Sequence, residues 1–288
     1  MLCIMVKYVL VIPIAGFNDC LCVILRAIEY CKQYGRTLLI HMRGGAYCIN
    51  FGDFFHVLPS IGCDIIYDFN IITDILTNNQ YSVYPGCLNN RLTDVLNNQI
   101  SMMWRKGYSF FFFNDVILSL PGDVEEDVIV VSACGGGRGF TLFQHLTMKD
   151  QIKQHCNQHL ALLLDDNYLC IHVRNTDHKC DYQQLYSLNT ELIHSFDKIY
   201  IATDDKHAIE FFKTKHANVF NFTHFPSETK YGSLHMSNVD SIIKMNDMIC
   251  DIFIAANSKK LLSNSRGGYI QLMRDCFDNK EFIMNKLK

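Results

Sequence analysis

The chain has 288 residues, of which 49% are hydrophobic, and a formal net charge of −3. This length suits one large domain or two ordinary ones with a sizeable core. The charge balance lacks the basic excess of nucleic-acid-binding proteins, so nucleic acid is not an expected partner. Thirteen cysteines form no Cys-x-x-Cys pair and mostly lie in apolar runs. That pattern predicts buried thiols in a reducing compartment rather than a disulfide framework.

The first segment, MLCIMVKYVLVIPI, predicts a buried strand. Lys7 interrupts its apolar run and no clear small-residue cleavage site follows, which argues against a signal peptide. No run reaches the roughly 18 apolar residues of a membrane span. We therefore expect a cytoplasmic protein without a membrane span.

A helix is predicted after this strand, because apolar residues recur at helical spacing between Leu21 and Cys31. Asn18 or Asp19 is predicted to cap it and Gly35 to end it. TLLIHM then predicts a second strand. Strand, helix and strand within about 40 residues indicate a right-handed βαβ unit.

The middle of the chain is less regular. DIIYDF and DVIVVSACGGG predict strands, whereas FHVLPS, LTDVLNNQ and SMMWRKGYSFFFFND predict loops and short helices. Residues 149–162 predict a polar amphipathic helix near a domain junction. His155 and His159 on this helix have the spacing of metal ligands, but no third ligand is evident. We therefore interpret them as polar helix surface and predict no metal site.

A second alternating series covers the rest of the chain. Strands are predicted at 167–173, 198–205, 217–222 and 259–265, and helices at 182–196, 206–216, 239–258 and 266–277. This alternation predicts a parallel α/β domain. The expected fold class is α/β, with two Rossmann-like domains, 1–150 and 151–288, facing a cleft; the last helix can cross back to the first domain.

Three polar clusters fall at predicted strand ends. IHVRNTDHK (171–179) ends one strand, ATDD (202–205) ends the next, and SNSRGG (263–268) joins a third strand to the last helix. Each alone is typical of a solvated turn or a helix cap. Since the carboxyl ends of parallel strands share one edge, the three together favour a ligand site.

The residue types in these clusters suit a nucleotide diphosphate. Arg174 offers a planar fork that matches phosphate. Ser263, Ser265 and the amides of Arg266 and Gly267 open a helix, which makes a phosphate seat. Asp204 or Asp205 can bind ribose hydroxyls. GGGRG (135–139) lacks the Lys-Ser/Thr of a P-loop and indicates a close backbone approach of a ligand, or a hinge.

The same stretches resemble a known family. Residues 15–45, AGFNDCLCVILRAIEYCKQYGRTLLIHMRGG, resemble the N-terminal motif of the bacterial nodulation fucosyltransferases. HVRNTDHK resembles the His-x-Arg motif of the α1,6- and protein O-fucosyltransferase group. IATDD and CDIFIAANSKKLLSNSRGG resemble that group's third motif and its closing helix, strand and serine-rich loop. Residues from about 50 to 130 show no resemblance.

The resemblance implies a GT-B fold and inverting transfer of fucose from GDP-fucose to a glycan acceptor, with no metal and no separate cofactor. Arg174 would bind the β-phosphate and stabilise the departing GDP, with His172 near the base or ribose. The other implied donor-binding residues are Gly16 in the first motif, the nucleoside contacts Asp204 and Asp205, the guanine reader Asp251 or Asp247, and the phosphate loop Ser263, Asn264, Ser265, Arg266 and Gly267.

The catalytic base stays open in sequence. Asp177 and Asp181 are the local candidates, with Asp19 and Arg43 expected across the cleft. Asn175 stands where some branches carry a second arginine, and Asn18 replaces a glycine of the first motif. Two alternatives therefore stand beside GDP-fucose: another donor, such as UDP-xylose or a different GDP-sugar, and a non-catalytic nucleotide- or glycan-binding protein.

Overall fold

The computed structural model describes residues 6–43, 47–77, 80–97, 101–105, 108–113, 116–133, 135–176, 179–227, 234 and 237–288, with the backbone alone between 101 and 117. The chain divides between Thr147 and Met148 into two compact units, called unit 1 and unit 2 in chain order. None of the helices in the described part combines the length and apolar character that a membrane span requires.

Unit 1 is built on parallel strands with helices between them. Its helices are α1 (Phe17–Tyr34), α2 (Phe69–Thr77), α3 (Leu92–Asn97) and α4 (Phe140–Phe143). Its strands are β1 (Tyr8–Val11), β2 (Thr37–Ile40), β3 (Phe55–Val57), β4 (Ile65–Ile66), β5 (Val83–Tyr84), β6 (Ser101–Arg105), β7 (Tyr108–Phe113), β8 (Val116–Ile117) and β9 (Val128–Val131). A further strand, β10 (Leu146–Met148), lies at the boundary between the units.

The main sheet of unit 1 has the order β4-β2-β1-β9-β5, and its pairings are parallel. The predicted βαβ unit is confirmed as β1, α1 and β2. Gly35 ends α1 in the left-handed conformation (φ 62°) and donates its amide to Cys31 O. The prediction that Asn18 or Asp19 caps α1 is wrong: Gly16 holds the cap position, and both polar residues lie in the first turn.

The middle of unit 1 corrects a second prediction. SMMWR and YSFFFF form the antiparallel strands β6 and β7, with β8 added beyond β7, where loops and short helices were expected. FHV is likewise a strand, β3. The aromatic residues of 110–113 carry high strand propensity, and this local preference prevailed where no clear alternation marked the segment.

Unit 2 follows the predicted alternation closely. Its strands are β11 (Leu169–Val173), β12 (Ile199–Thr203), β13 (Val219–Phe220) and β14 (Lys260–Leu262). Its helices are α5 (Asp150–Leu162), α6 (Tyr182–Leu188), α7 (Thr190–His194), α8 (Lys206–Lys213), α9 (Ser241–Asn257), α10 (Gly268–Asp278) and α11 (Lys280–Asn285). The single helix predicted over 182–196 is divided at Asn189, whose side-chain amide donates to Leu185 O. The predicted last helix is followed by α11.

The sheet of unit 2 has the order β13-β12-β11-β14 and is parallel throughout. Side chains alternate between its two faces. Leu169, Ile171 and Val173 join an apolar cluster with Leu185 of α6 and Phe212 of α8. The intervening residues therefore point to the opposite face, toward α9. Burial on both faces is typical of a parallel α/β sheet, and the predicted α/β class is confirmed.

The described cysteines are all free thiols, and most of them are buried. The exceptions are Cys48 and Cys87, which are exposed, and Cys63 and Cys180, which are half-buried.

Candidate functional site

The candidate site lies at the carboxyl edge of the unit 2 sheet. The register pairs Ile171 of β11 with Leu262, the last residue of β14. It also pairs Val173 with Thr203, the last residue of β12. The polar segments that follow these strands therefore begin side by side, as the parallel pairing predicts.

A hydrogen-bonded group joins two of these segments. Ser263 Oγ lies 3.2 Å from His172 Nδ1 and accepts the amide of Ser265 at 3.1 Å. Ser265 Oγ, itself buried, accepts the amide of Arg174 at 3.2 Å. Arg274 of α10 donates Nη2 to the carbonyl oxygen of Ser263 at 3.2 Å. The His-x-Arg segment and the serine-rich loop are thus fixed to each other.

The charge near this group is positive. Burial lowers the pKa of His172 to about 3, with smaller contributions from Arg174 and Arg274. The imidazole is therefore neutral at physiological pH, and it buries no third positive charge beside the two guanidinium groups. The two arginines can therefore attract an anion, and the neutral histidine adds no further repulsion between buried positive charges.

Arg174 lies against the start of α10. A methyl group built on Gly267 would sit 3.2 Å from Arg174 Nη1, so a larger residue would press on the guanidinium. Gly267 caps α10 without a side chain to accept the first amides of that helix. Free amides at a helix N-terminus and a neighbouring arginine are suited to phosphate.

Asp204 and Asp205 hold the segment that carries Arg174. Asp204 accepts the amide of Asn175 at 2.7 Å and the hydroxyl of Thr176 at 2.5 Å. Asp205 accepts Asn175 Nδ2 at 2.6 Å and caps the first turn of α8. Asn175 therefore connects the two strand ends. The nucleoside contacts expected of both aspartates stay predictions.

Asp181 caps α6 by accepting the amide of Gln184 at 2.8 Å. Its carbonyl oxygen accepts Asn264 Nδ2 at 3.0 Å, which joins this loop to the serine-rich loop. Between the two, the half-buried thiol of Cys180 lies 3.1 Å from Ser265 Oγ. The other candidate base, Asp177, lies outside the described residues.

The two candidate guanine readers on α9 have different surroundings. Asp251 is buried against β12 and accepts the hydroxyl of Tyr200 at 2.5 Å. Burial raises the pKa of Asp251 to about 8, although the bond from Tyr200 opposes this shift. Asp247, one turn earlier, accepts the amide of His224 at 2.7 Å and approaches its Nδ1 at 3.1 Å. The His224 side chain is 59% exposed, whereas Asp247 and Asp251 are buried to nearly the same extent, with 6% and 7% of their surface exposed.

His224 was not foreseen from the sequence. It lies in the loop between β13 and α9, where no motif or periodicity marks it. Only the packing of that loop on α9 identifies it as a neighbour of Asp247.

In unit 1 the glycine-rich segment packs on α1. Asn18 donates Nδ2 to Gly137 O at 3.3 Å and accepts the amide of Gly139 at 3.0 Å. A methyl group on Gly135 would lie 2.3 Å from Asp19 Cα. The close backbone approach expected for a ligand is therefore made here by a helix of the protein, and Asn18 supplies the hydrogen bonds that hold it.

The remaining predicted residues of unit 1 lie at the same edge of its sheet. Gly16 precedes α1, directly after β1. Arg43 follows β2 and stacks over the ring of Phe69, with its guanidinium carbon 4.0 Å from the ring centroid.

No protein-family profile and no curated protein sequence matches the chain. Solved structures do match it. Fucosyltransferase NodZ from Bradyrhizobium has a TM-score of 0.62 and 18% identity, covering 93% of this chain and 91% of that one. NodZ alpha-1,6-fucosyltransferase soaked with GDP-fucose gives 0.61 and 18%, covering 93% and 92%. POFUT1 in complex with GDP gives 0.56 and 12%, covering 95% of each chain.

The similarity extends over nearly all of both chains. At these identities the finding concerns the fold alone. It confirms the predicted fold: the chain has the GT-B fold of the fucosyltransferase structures, the group that its sequence motifs resemble.

Proposed function

We propose that the protein is an inverting glycosyltransferase that transfers L-fucose from GDP-fucose to a glycan acceptor, without a metal ion in the transfer step. The observation that carries the proposal is the arrangement of Arg174 against the uncapped start of α10, fixed by Ser263 and Ser265. Fold similarity to a fucosyltransferase soaked with GDP-fucose supports the donor class.

The proposed chemistry needs a fixed positive site for the leaving diphosphate. As the bond to the sugar breaks, negative charge grows on the β-phosphate. The guanidinium of Arg174 and the first amides of α10 are positioned before the reaction, so stabilising this charge costs little reorganisation. Arg274 adds positive charge behind Ser263.

For the base of the nucleotide, we propose Asp247 rather than Asp251 as the guanine acceptor. Guanine presents N–H donors, which an ionised carboxylate accepts well. The pKa of about 8 leaves Asp251 mostly protonated at neutral pH, and Tyr200 occupies one of its oxygens. Asp247 lies beside an exposed loop, with His224 as its neighbour.

For the acceptor, we propose Asp177 or Asp181 as the general base. Asp181 already caps α6, which fixes its carboxylate at the mouth of the loop after β11. A general base must reach the acceptor hydroxyl within hydrogen-bond distance. A substitution that removes the carboxylate but keeps the helix cap therefore separates the two roles of Asp181.

The test is a nucleotide panel followed by a transfer assay. GDP, GDP-fucose, UDP and UDP-xylose are titrated by calorimetry, and GDP and GDP-fucose are expected to bind more tightly than the uridine nucleotides. In Arg174→Ala, we expect turnover to fall by about 100-fold or more, equivalent to about 3 kcal/mol of barrier. Arg91→Ala is the matched control, since Arg91 lies in unit 1 and forms a partly exposed ion pair with Asp94 of α3.

The outcomes separate the three hypotheses. Tighter binding of UDP than GDP favours the alternative donor. Tight GDP binding with neither hydrolysis nor transfer favours a non-catalytic nucleotide-binding protein. Absence of binding by every nucleotide, or full turnover in Arg174→Ala, contradicts the proposal.

A further inference from the structure

Two helices of unit 2, α5 and α9, bring together a set of metal-type ligands. His155 and His159 lie four residues apart on α5, and Cys250 lies on α9. One donor atom from each of the three lies within 4.8 Å of the others. Cys156 adds a second sulfur, with its Sγ 3.2 Å from Cys250 Sγ. The third ligand, which was not evident in the sequence, is therefore Cys250 on α9, 94 residues after Cys156.

The imidazoles of this cluster are incompletely satisfied. Nε2 of His155 and Nδ1 of His159 are buried and have no hydrogen-bond partner among the described residues. A buried polar atom without a partner costs about 1–3 kcal/mol, so such atoms normally have an explanation.

The ring of His159 stacks on Phe222, with centroids 4.6 Å apart and an angle of 15° between the planes. His155 meets His159 edge to face at 4.5 Å and is hydrogen-bonded to Cys250. Cys156 and Cys250 are both almost fully buried. The donor atoms of His155, His159 and Cys250 are thus already close together, and Cys156 lies outside this group, beside Cys250.

We propose that His155, His159, Cys250 and Cys156 bind one zinc ion, which joins α5 to α9. Two imidazole nitrogens and two sulfurs form a common tetrahedral set for structural zinc. Two sulfurs on one zinc ion lie about 3.8 Å apart, because each Zn–S bond is about 2.3 Å long, so the thiols need to separate only slightly. Binding converts both thiols to thiolates and releases their protons.

A disulfide between Cys156 and Cys250 is the competing explanation. It accounts for the two sulfurs but leaves both unpaired imidazole nitrogens without a partner. A zinc ion bound by the grouped donor atoms of His155, His159 and Cys250 uses nitrogen and sulfur together. The cluster adjoins the proposed guanine acceptor Asp247, which lies three residues before Cys250 on α9 and whose charge acts on both histidines. None of its residues contacts the group of His172, Arg174 and Ser265 through any described bond.

The experiment measures metal directly and needs no nucleotide. The full chain is prepared without a histidine tag, stripped with a chelator, and titrated with Co²⁺ and then Zn²⁺. We expect one tightly bound Co²⁺ per chain with the intense visible bands of tetrahedral cobalt and thiolate-to-metal charge transfer, displaced by Zn²⁺. Zinc should also raise the melting temperature of unit 2.

The key variant is His159→Phe, which keeps a ring to stack on Phe222 and removes the ligand nitrogen. We expect this variant to lose the tetrahedral cobalt spectrum and to bind Co²⁺ more than about tenfold less tightly than the wild type. Cys250→Ser should weaken the charge-transfer band, because only the thiolate of Cys156 remains as a sulfur ligand. Two control substitutions of the same types, His194→Phe on exposed α7 and Cys276→Ser in the core of α10, should bind Co²⁺ like the wild type.

Three results would overturn the proposal. The first is the absence of stoichiometric binding by reduced wild-type protein. The second is Co²⁺ binding by His159→Phe and Cys250→Ser that is as tight as binding by the wild type, which would place the metal elsewhere. The third is purification of the chain with Cys156 and Cys250 oxidised to a disulfide that mass spectrometry detects and that zinc does not prevent.

Discussion

At the scale of single residues, the surroundings of His172 determine whether its imidazole carries a charge. It is buried beside two arginines, and its ring nitrogen still contacts Ser263. The sequence identified this residue through the His-x-Arg pattern, but the pattern alone does not distinguish a charged histidine from a neutral one. Its protonation state is set mainly by burial, which depends on α9 and α10 packing over β11, and to a smaller extent by Arg174 and Arg274.

His172 makes stability depend on pH in a defined direction. Its folded pKa of about 3 lies below the unfolded value of 6.5. The unfolded chain therefore binds the proton first, and stability falls as pH drops below 6.5 and continues to fall until pH 3. At pH 5 the loss relative to pH 8 is about 2 kcal/mol.

His172→Asn is expected to remove this component, because asparagine keeps a polar atom near Ser263 and does not titrate. Urea unfolding of both proteins at pH 8 and pH 5 measures it, and His194→Asn, an exposed histidine, serves as the control. An unchanged pH dependence in His172→Asn would contradict this prediction, because it would show that the pKa of His172 is the same in the folded and unfolded states.

At the scale of elements, substitutions of Asp181 can separate its capping of α6 from its proposed role as general base. Asparagine caps helices nearly as well as aspartate. Asp181→Asn should therefore keep α6 and the stability of unit 2. If Asp181 is the general base, turnover falls by a factor of about 100 to 10,000.

Asp181→Ala is the comparison, since it removes both functions and should cost about 1 kcal/mol of stability. Transfer assays and urea unfolding on the two variants give the answer. Normal turnover in a stable Asp181→Asn would leave Asp177 as the remaining local candidate.

The contact between α1 and the glycine-rich segment is a second test at this scale. A methyl group at Gly139 would lie 2.7 Å from Asn18 Oδ1 and 2.9 Å from Asn18 O. Gly139 itself has ordinary helical dihedrals (φ −60°, ψ −22°), so the penalty comes from crowding alone. Gly139→Ala is expected to destabilise unit 1 by about 1–3 kcal/mol.

Gly122→Ala provides the control for this prediction, because nothing lies within 4 Å of a methyl group there. Calorimetry of both variants should show a lower melting temperature only for Gly139→Ala. Equal melting temperatures would mean that the segment moves away from α1 at little cost.

The elements of unit 2 were predictable because their strands are continuous apolar runs between amphipathic helices. The hairpin of β6 and β7 was not, since its segments show no clean alternation and its aromatic run suits several structures. The site was foreseen at the level of strand ends. The capping of Asp181 and Asp205, the loop contact of His224 and the core position of Asp251 depend on packing between segments far apart in sequence.

At the scale of the whole molecule, the two compact units give a way to locate the nucleotide. All proposed phosphate contacts lie in unit 2, after Met148. A ligand that binds only the folded state stabilises it by about 2.7 kcal/mol at a concentration 100 times its Kd. GDP should therefore slow amide hydrogen exchange most strongly in β11, β14 and the start of α10.

The internal comparison for this prediction is β1, β2 and α1, which serve as the reference for unit 1. Uridine diphosphate at the same concentration controls for non-specific effects. Protection that is confined to unit 1 would contradict the assignment of the phosphate site.

The bond between Cys180 and Ser265 has a practical consequence. The Cys180 thiol is half-buried and lies directly beside the proposed diphosphate position, whereas the exposed cysteines Cys48 and Cys87 both belong to unit 1. When thiol alkylation is followed for each peptide, Cys180 therefore reports occupancy of the site, and Cys48 and Cys87 serve as reference positions. A saturating ligand that slows labelling of Cys180 alone would report a filled site in the unmodified protein, with no dye, tag or substitution.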